Sequence, residues 1–210
     1  RQGIVDGWTN QQIVQRIKGK KALNYQDGIL QQSRSDIERV VRTSRSHVAN
    51  TAYMDTYKAI GFTHIKFVAT LDGRVSKTCA SLDQSMWEIE SPKIRRPPLH
   101  PHCRSVLVGV DADGNLAGKR PFVMDERKVK DIPKDQRDGV IGQLDANTSF
   151  KQFFDKTDDF FQREWLGEKR YKLFKDGNYS IDKFVDPLGR QYTLDELRIL
   201  DEKTFKELGL

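Results

Sequence analysis

The run Pro97-Pro98-Leu99-His100-Pro101-His102-Cys103-Arg104 constrains this chain more than any other part of it. Proline fixes its own φ, removes an amide donor and pushes the preceding residue out of the helical region, so this run can continue neither a helix nor the interior of a sheet. It must be a loop. A strand-like sequence follows at once, Ser105-Val106-Leu107-Val108-Gly109-Val110, and an equally β-rich run, His64-Ile65-Lys66-Phe67-Val68-Ala69-Thr70, lies upstream. Leu71-Asp72-Gly73-Arg74 supplies turn chemistry after the first run. The two strands are expected to pair as a small antiparallel ribbon. The irregular stretch from Val75 to Pro98 and the proline run fold over it as one loop.

That loop holds most of the unusual chemistry of the chain. Thiolate, imidazole and carboxylate are the side chains that hold zinc, and folding the loop over the ribbon would bring Cys79 against His100 and Cys103. His100 and Cys103 stand three apart, a spacing that a tight turn converts into chelation. A fourth ligand would be Asp83, His102 or water, because the chain has no paired Cys-x-x-Cys. Prolines at 97, 98 and 101 limit the freedom lost on closing the loop. Two plainer readings stand beside structural zinc. Cys79 and Cys103 can be small buried hydrophobes with His100 donating to a backbone carbonyl, or they can form a disulfide outside the cytosol. Arg74 and Arg104 flank the loop and can each fork onto Asp72 or Asp83. A phosphate-binding role for them lacks any glycine-rich cradle.

On the N-terminal side, Ile13, Val14 and Ile17 fall at helical spacing after Thr9 or Asn10, either of which can cap a short helix ending at Lys18. From Ser35 to about Ile60, Ile37, Val40, Val41, Val48, Ala49, Ala52 and Tyr53 recur at helical steps with no Pro or Gly inside, and Gly61 stops the helix. Its Arg34, Arg39, Arg42 and Arg45 form either a solvated face or a basic stripe against a partner protein or DNA. From Val110 to about Asn147 the chain is rich in Lys, Asp and Gly and reads as a linker or extended arm with turns. From Thr148 onward short helical pieces carry Phe150, Phe153, Phe154, Phe160, Phe161, Trp165, Leu166, Tyr171, Leu173 and Phe174, a density that belongs to a core. Thr193 and Glu196 resemble a capping box for a last helix through Leu194, Leu197 and Leu200. The fold expected is α+β: N-terminal helices including one long one, a small antiparallel ribbon with a Cys/His knuckle loop, and short aromatic-rich C-terminal helices. The division expected is 1–110 as core domain, 111–147 as linker or arm, and 148–210 as helical region.

Bulk charge narrows the function classes. The balance of 36 Lys+Arg against 30 Asp+Glu gives a net charge of +6, with the two signs mixed along most of the chain. Basic stretches such as Lys18, Lys20, Lys21 and Arg95, Arg96 are short, so nucleic acid is permitted as a partner but not required. No run reaches the ~18 apolar residues of a membrane span, and no signal-peptide order is present at the start. The reading is of a soluble chain made in the cytosol, and its opening at Arg1 suggests part of a longer polypeptide.

Several of these pieces, in this order, resemble the phage head-morphogenesis, or minor head protein, family that includes the F protein of phage Mu. They are Arg42-Thr43 on the long helix, Leu71-Asp72-Gly73-Arg74, Cys79 to Asp83, and Pro97 to Arg104 leading into a strand. Leu166-Gly167, Arg170-Tyr171, Leu173-Phe174 and Gly177, with Thr193-Leu194 and Leu197, extend the likeness through most of the chain. The sequence departs from the family pattern at Ser44, where an acidic residue often follows Arg-Thr, at Gln84, where Gly is common, and at Ser105, where a further Cys is frequent. The resemblance implies a virion protein without enzymatic activity, acting in head assembly inside the capsid near the portal. Its implied partners are the portal protein and/or the major capsid protein, and packaged double-stranded DNA, with no membrane and no small-molecule substrate. Rival readings are a His/Cys metal-dependent nuclease, which needs a helix with further ligands after the ribbon, and a toxin-like effector, for which the 210 residues leave little room.

Overall fold

A computed structural model describes residues 7–125 and 127–210; Arg1, where the sequence opens, lies outside them. Helix α1 spans Asn10–Lys18 and is closed by a full capping box: Thr9 accepts from the Gln12 amide while the Gln12 side chain reaches back to the Thr9 amide. Helix α2 runs Ile29–Ala59, six residues earlier than the spacing of apolar residues predicts, because Gly28 rather than a residue near Ser35 forms its N-cap. Gly61, at φ +90°, ends it as expected.

Strand β1, His64–Val68, is the centre of a three-stranded antiparallel sheet. It pairs on one side with β4, Val106–Val110, in the register Phe67 to Leu107. On the other side it pairs with β3, Met86–Glu88, in the register Ile65 to Trp87. Alternation along β1 puts Ile65 and Phe67 in the core, both wholly buried. The expected ribbon is therefore present as β1 and β4, and β3 adds an edge that the loop sequence did not announce. Helix α2 docks on this sheet through its C-terminal half. Asn50 Oδ1 accepts the Leu107 amide at 3.1 Å, and Gly109 lets the chain come close, since a Cβ there would lie 2.6 Å from the Phe62 ring and 2.8 Å from that of Tyr57.

The segment 111–147, expected as a linker or arm, carries a β-hairpin. Strand β5, Lys119–Val123, pairs antiparallel with β6, Ile141–Asp145, and parallel with the short β2, Leu71–Asp72, giving the order β2-β5-β6. Pro121 argues against an interior strand from sequence. It is accommodated because β2 reaches only Phe122 and Val123, so no neighbour on that side needs the missing donor.

The aromatic helices close over both sheets. They are α4, Phe150–Phe154, capped by the Ser149/Gln152 box; α5, Asp159–Leu166; and α6, Glu168–Lys175, with Gly167 between the last two. Phe150, Phe154 and Trp165 pack at ring separations of 4.9–5.8 Å, and Phe150, Phe153, Phe154, Leu173 and Phe184 are wholly buried. Helix α7, Leu194–Leu200, starts at the Thr193/Glu196 capping box, and α8, Glu202–Leu208, follows. No helix among the described residues is long and apolar enough to cross a membrane.

Candidate functional site

Within the 75–98 loop, Ser76 caps a short helix, α3, spanning Lys77–Leu82, by accepting the Cys79 amide at 3.1 Å. One turn of helix is enough to aim Cys79 inward, where it is buried. The proline run returns across it. The Cys103 amide donates to the His100 carbonyl at 3.1 Å, and His102 adopts φ +59°, so that the tight turn places His100 and Cys103 on the same side.

The structure brings Cys79, His100 and Cys103 together, with their ligand atoms all within 4.8 Å of one another. Cys79 Sγ lies 3.2 Å from His100 Nε2 and 3.7 Å from Cys103 Sγ. A tetrahedral zinc ion with bonds of ~2.3 Å to sulfur and ~2.0 Å to nitrogen sets two sulfurs ~3.8 Å apart and a sulfur and a nitrogen ~3.5 Å apart. The Cys79–Cys103 and Cys79–His100 separations match that ion to within a few tenths of an ångström, and Cys103 and His100 close the set within 4.8 Å. His100 Nδ1 sits 2.9 Å from the Pro101 carbonyl, an acceptor that fixes the proton on Nδ1 and leaves the Nε2 lone pair facing Cys79, the orientation metal-bound histidines use. Ser76 Oγ, 2.9 Å from the same Nε2, then donates to it.

The two thiols are shifted in opposite directions. Hydrogen bonding from Cys79 draws Cys103 down to about 5 against the desolvation that opposes it. Cys79, bonded to Cys103 and buried, is pushed up. Ser105, itself buried, lowers both thiols through its side chain.

The two suggested fourth ligands lie elsewhere. Both oxygens of Asp83 are taken: Oδ1 accepts from the Ala69 amide at 2.7 Å and from Arg120, and Oδ2 accepts from the Phe150 amide at 2.7 Å and from Arg120. The side chain of His102 is exposed and outside the cluster; its amide faces Thr43 Oγ1 on α2 at 3.4 Å. Asp72 takes the fork of Arg104, with Nη2 to Oδ1 at 2.8 Å and Nη1 to Oδ2, and its Oδ1 also accepts the Arg74 amide at 2.9 Å. Burial raises the Asp72 carboxyl, but Arg104 and Arg74 outweigh it and hold the group below the usual carboxylate range. Both arginines thus converge on Asp72, and Asp83 belongs to Arg120, a partner outside every motif in the sequence. After Ser105 the chain continues as strand β4, and neither His47 nor His64 joins the cluster.

No curated protein and no solved structure matches the chain significantly. The family described as Phage Mu protein F like protein matches residues 1–108, a span that holds α1, α2, β1, the whole Cys/His knuckle and the start of β4. A match over half the chain, which takes in the knuckle whose geometry is given above, places this protein in the Phage Mu F-like family of head-morphogenesis proteins.

Proposed function

We propose that this head-morphogenesis protein is a minor capsid protein that works as a structural component, without catalysis, inside the phage head at or near the portal. The observation that carries the reading is the face of α2 turned away from the sheet. Of its 31 residues only Asn50 and Met54 are buried. Leu30, Ile37, Val41 and Val48, exposed at 64%, 63%, 49% and 65%, follow one another at steps of seven, four and seven. At ~100° per residue those steps align them within about 40° of arc on the helix. A lone exposed leucine needs no explanation, but a continuous apolar stripe on a long helix marks a surface that another protein covers. The portal protein and/or the major capsid protein supplies that cover.

In this reading Zn²⁺ held by Cys79, His100 and Cys103 pins the proline loop to α3 and supplies structural rigidity only. Asymmetric reconstruction of heads containing the protein tests the placement. Density for it against the portal ring, with α2 facing a head protein, is expected. Heads that assemble and package fully without the protein would contradict the proposal.

A further inference from the structure

Between α2 and the knuckle lies a cleft of about 820 Å³ lined by Arg42, Arg45, Arg74, Arg104, Lys128 and His102, together with Ser76, His100, Pro101 and Cys103. Among the described residues no carboxylate lines it. Three of its cations share two carboxylates close by: Arg104 is committed to Asp72, with Arg74 3.9 Å from the same carboxylate, and Arg42 stands 3.6 Å from the exposed Glu38. Among the described residues Arg45 and Lys128 have no ion-pair partner. Five cations against two acids leave the cleft strongly positive, and it opens to solvent.

We infer that this cleft binds the phosphodiester backbone of double-stranded DNA without reading its sequence. The inference deepens the head-protein reading and rests on it for the source of the DNA. The chemistry of the lining selects the ligand. Guanidinium groups present planar paired donors that match phosphate oxygens, and the cleft is too large for one inorganic phosphate, lying high in the ~300–1,000 Å³ range of ligand sites. Among the described residues its lining holds no Phe, Tyr or Trp, the broad rings on which an extruded base stacks best, which disfavours single strands. It has no large apolar anchor either, whereas the core of a protein interface needs one. What remains is contact with backbone phosphates alone, which positions a duplex but carries no base information. The knuckle's part is to hold His102 and Arg104 along the cleft wall.

The test is fluorescence anisotropy of the whole protein with a labelled duplex of random sequence across a salt series, comparing the native chain with an Arg45→Ala/Lys128→Ala variant. Among the described residues neither makes an ion pair, so the variant should keep its fold, which a urea midpoint checks. Each phosphate contact contributes a slope of about −0.9 in log K against log salt, so the variant's slope should shrink by about 1.8, with affinity at low salt down by roughly one to two orders of magnitude. Equal binding of two unrelated duplex sequences is also expected. Unchanged slope and affinity in the variant would overturn the inference, as would absence of DNA binding by the native chain. So would displacement of the duplex by polyglutamate at equal charge concentration, which indicates an acidic protein partner, or by low millimolar inorganic phosphate, which indicates a single-anion site. Head incorporation, scored separately in the same variant, distinguishes failure of the DNA site from failure of the assembly reading.

Discussion

Arg120 grips Asp83 through both terminal guanidinium nitrogens, each at 3.0 Å from a different carboxylate oxygen. The pair is buried, with 7% and 0% of the two side chains exposed. Arg120 also donates to the carbonyls of Thr148 and Ala69. The pair therefore ties the β5–β6 hairpin, the end of α3 and the start of α4 into one unit. Replacing Arg120 by Met leaves the Asp83 charge buried with only amide donors, a change that costs about 3–5 kcal/mol in comparable buried pairs. Urea unfolding of Arg120→Met should show a loss of that size; a loss under about 1 kcal/mol would mean that the carboxylate is satisfied without its partner.

The contrast between this pair and the knuckle explains what the sequence could and could not disclose. Cys79, His100 and Cys103 were legible because few residue types hold metal and prolines leave few paths for the loop that carries them. Thr9, Thr193 and Gly61 were legible because caps and stops act within a few residues. The β5–β6 hairpin was hidden because polar Lys119 and Arg120 and the helix- and strand-breaking Pro121 mask a short strand whose stability comes from tertiary pairing. Arg120 gave no local sign because its partner lies 37 residues upstream. Ser105 stands where the family often has a further thiol, and only the fold shows it buried beside the pair, lowering both thiols.

Metal loading gives the second prediction. With Zn²⁺ at the knuckle, free ion at 1,000 times its Kd would stabilise the fold by about 4 kcal/mol. Thermal melts should rise with one equivalent of zinc and fall with chelator, and Cys103→Ser should remove both responses. A melting temperature indifferent to zinc and chelator in the native chain would exclude a metal role for the three donors.

Alkaline stability gives the third. Tyr179 is buried and its hydroxyl donates to Asp201 Oδ2 at 3.0 Å; burial, then that bond, raises it to about 12 from an ordinary value of 10.0. The folded chain therefore holds a proton that the unfolded chain has released. The stability this contributes is complete below the ordinary phenol pKa and disappears as pH rises through that of the folded state. Unfolding free energy should fall between pH 10 and 12, and Tyr179→Phe should flatten that slope. An unchanged slope in the variant would assign the alkaline loss to other groups.

The most direct measurement of the central claim is entry into heads by a protein whose α2 stripe has been made polar, Ile37→Asp/Val41→Asp. Both side chains are exposed, at 63% and 49%, so unfolding free energy should move by no more than about 0.5 kcal/mol per site, as for ordinary surface changes. When heads are assembled with the variant and purified on a gradient, it should stay folded and soluble at the top while the native chain sediments with the heads. Native-level incorporation of the variant would show that the stripe is not the docking surface, and the assembly account built on it would fail.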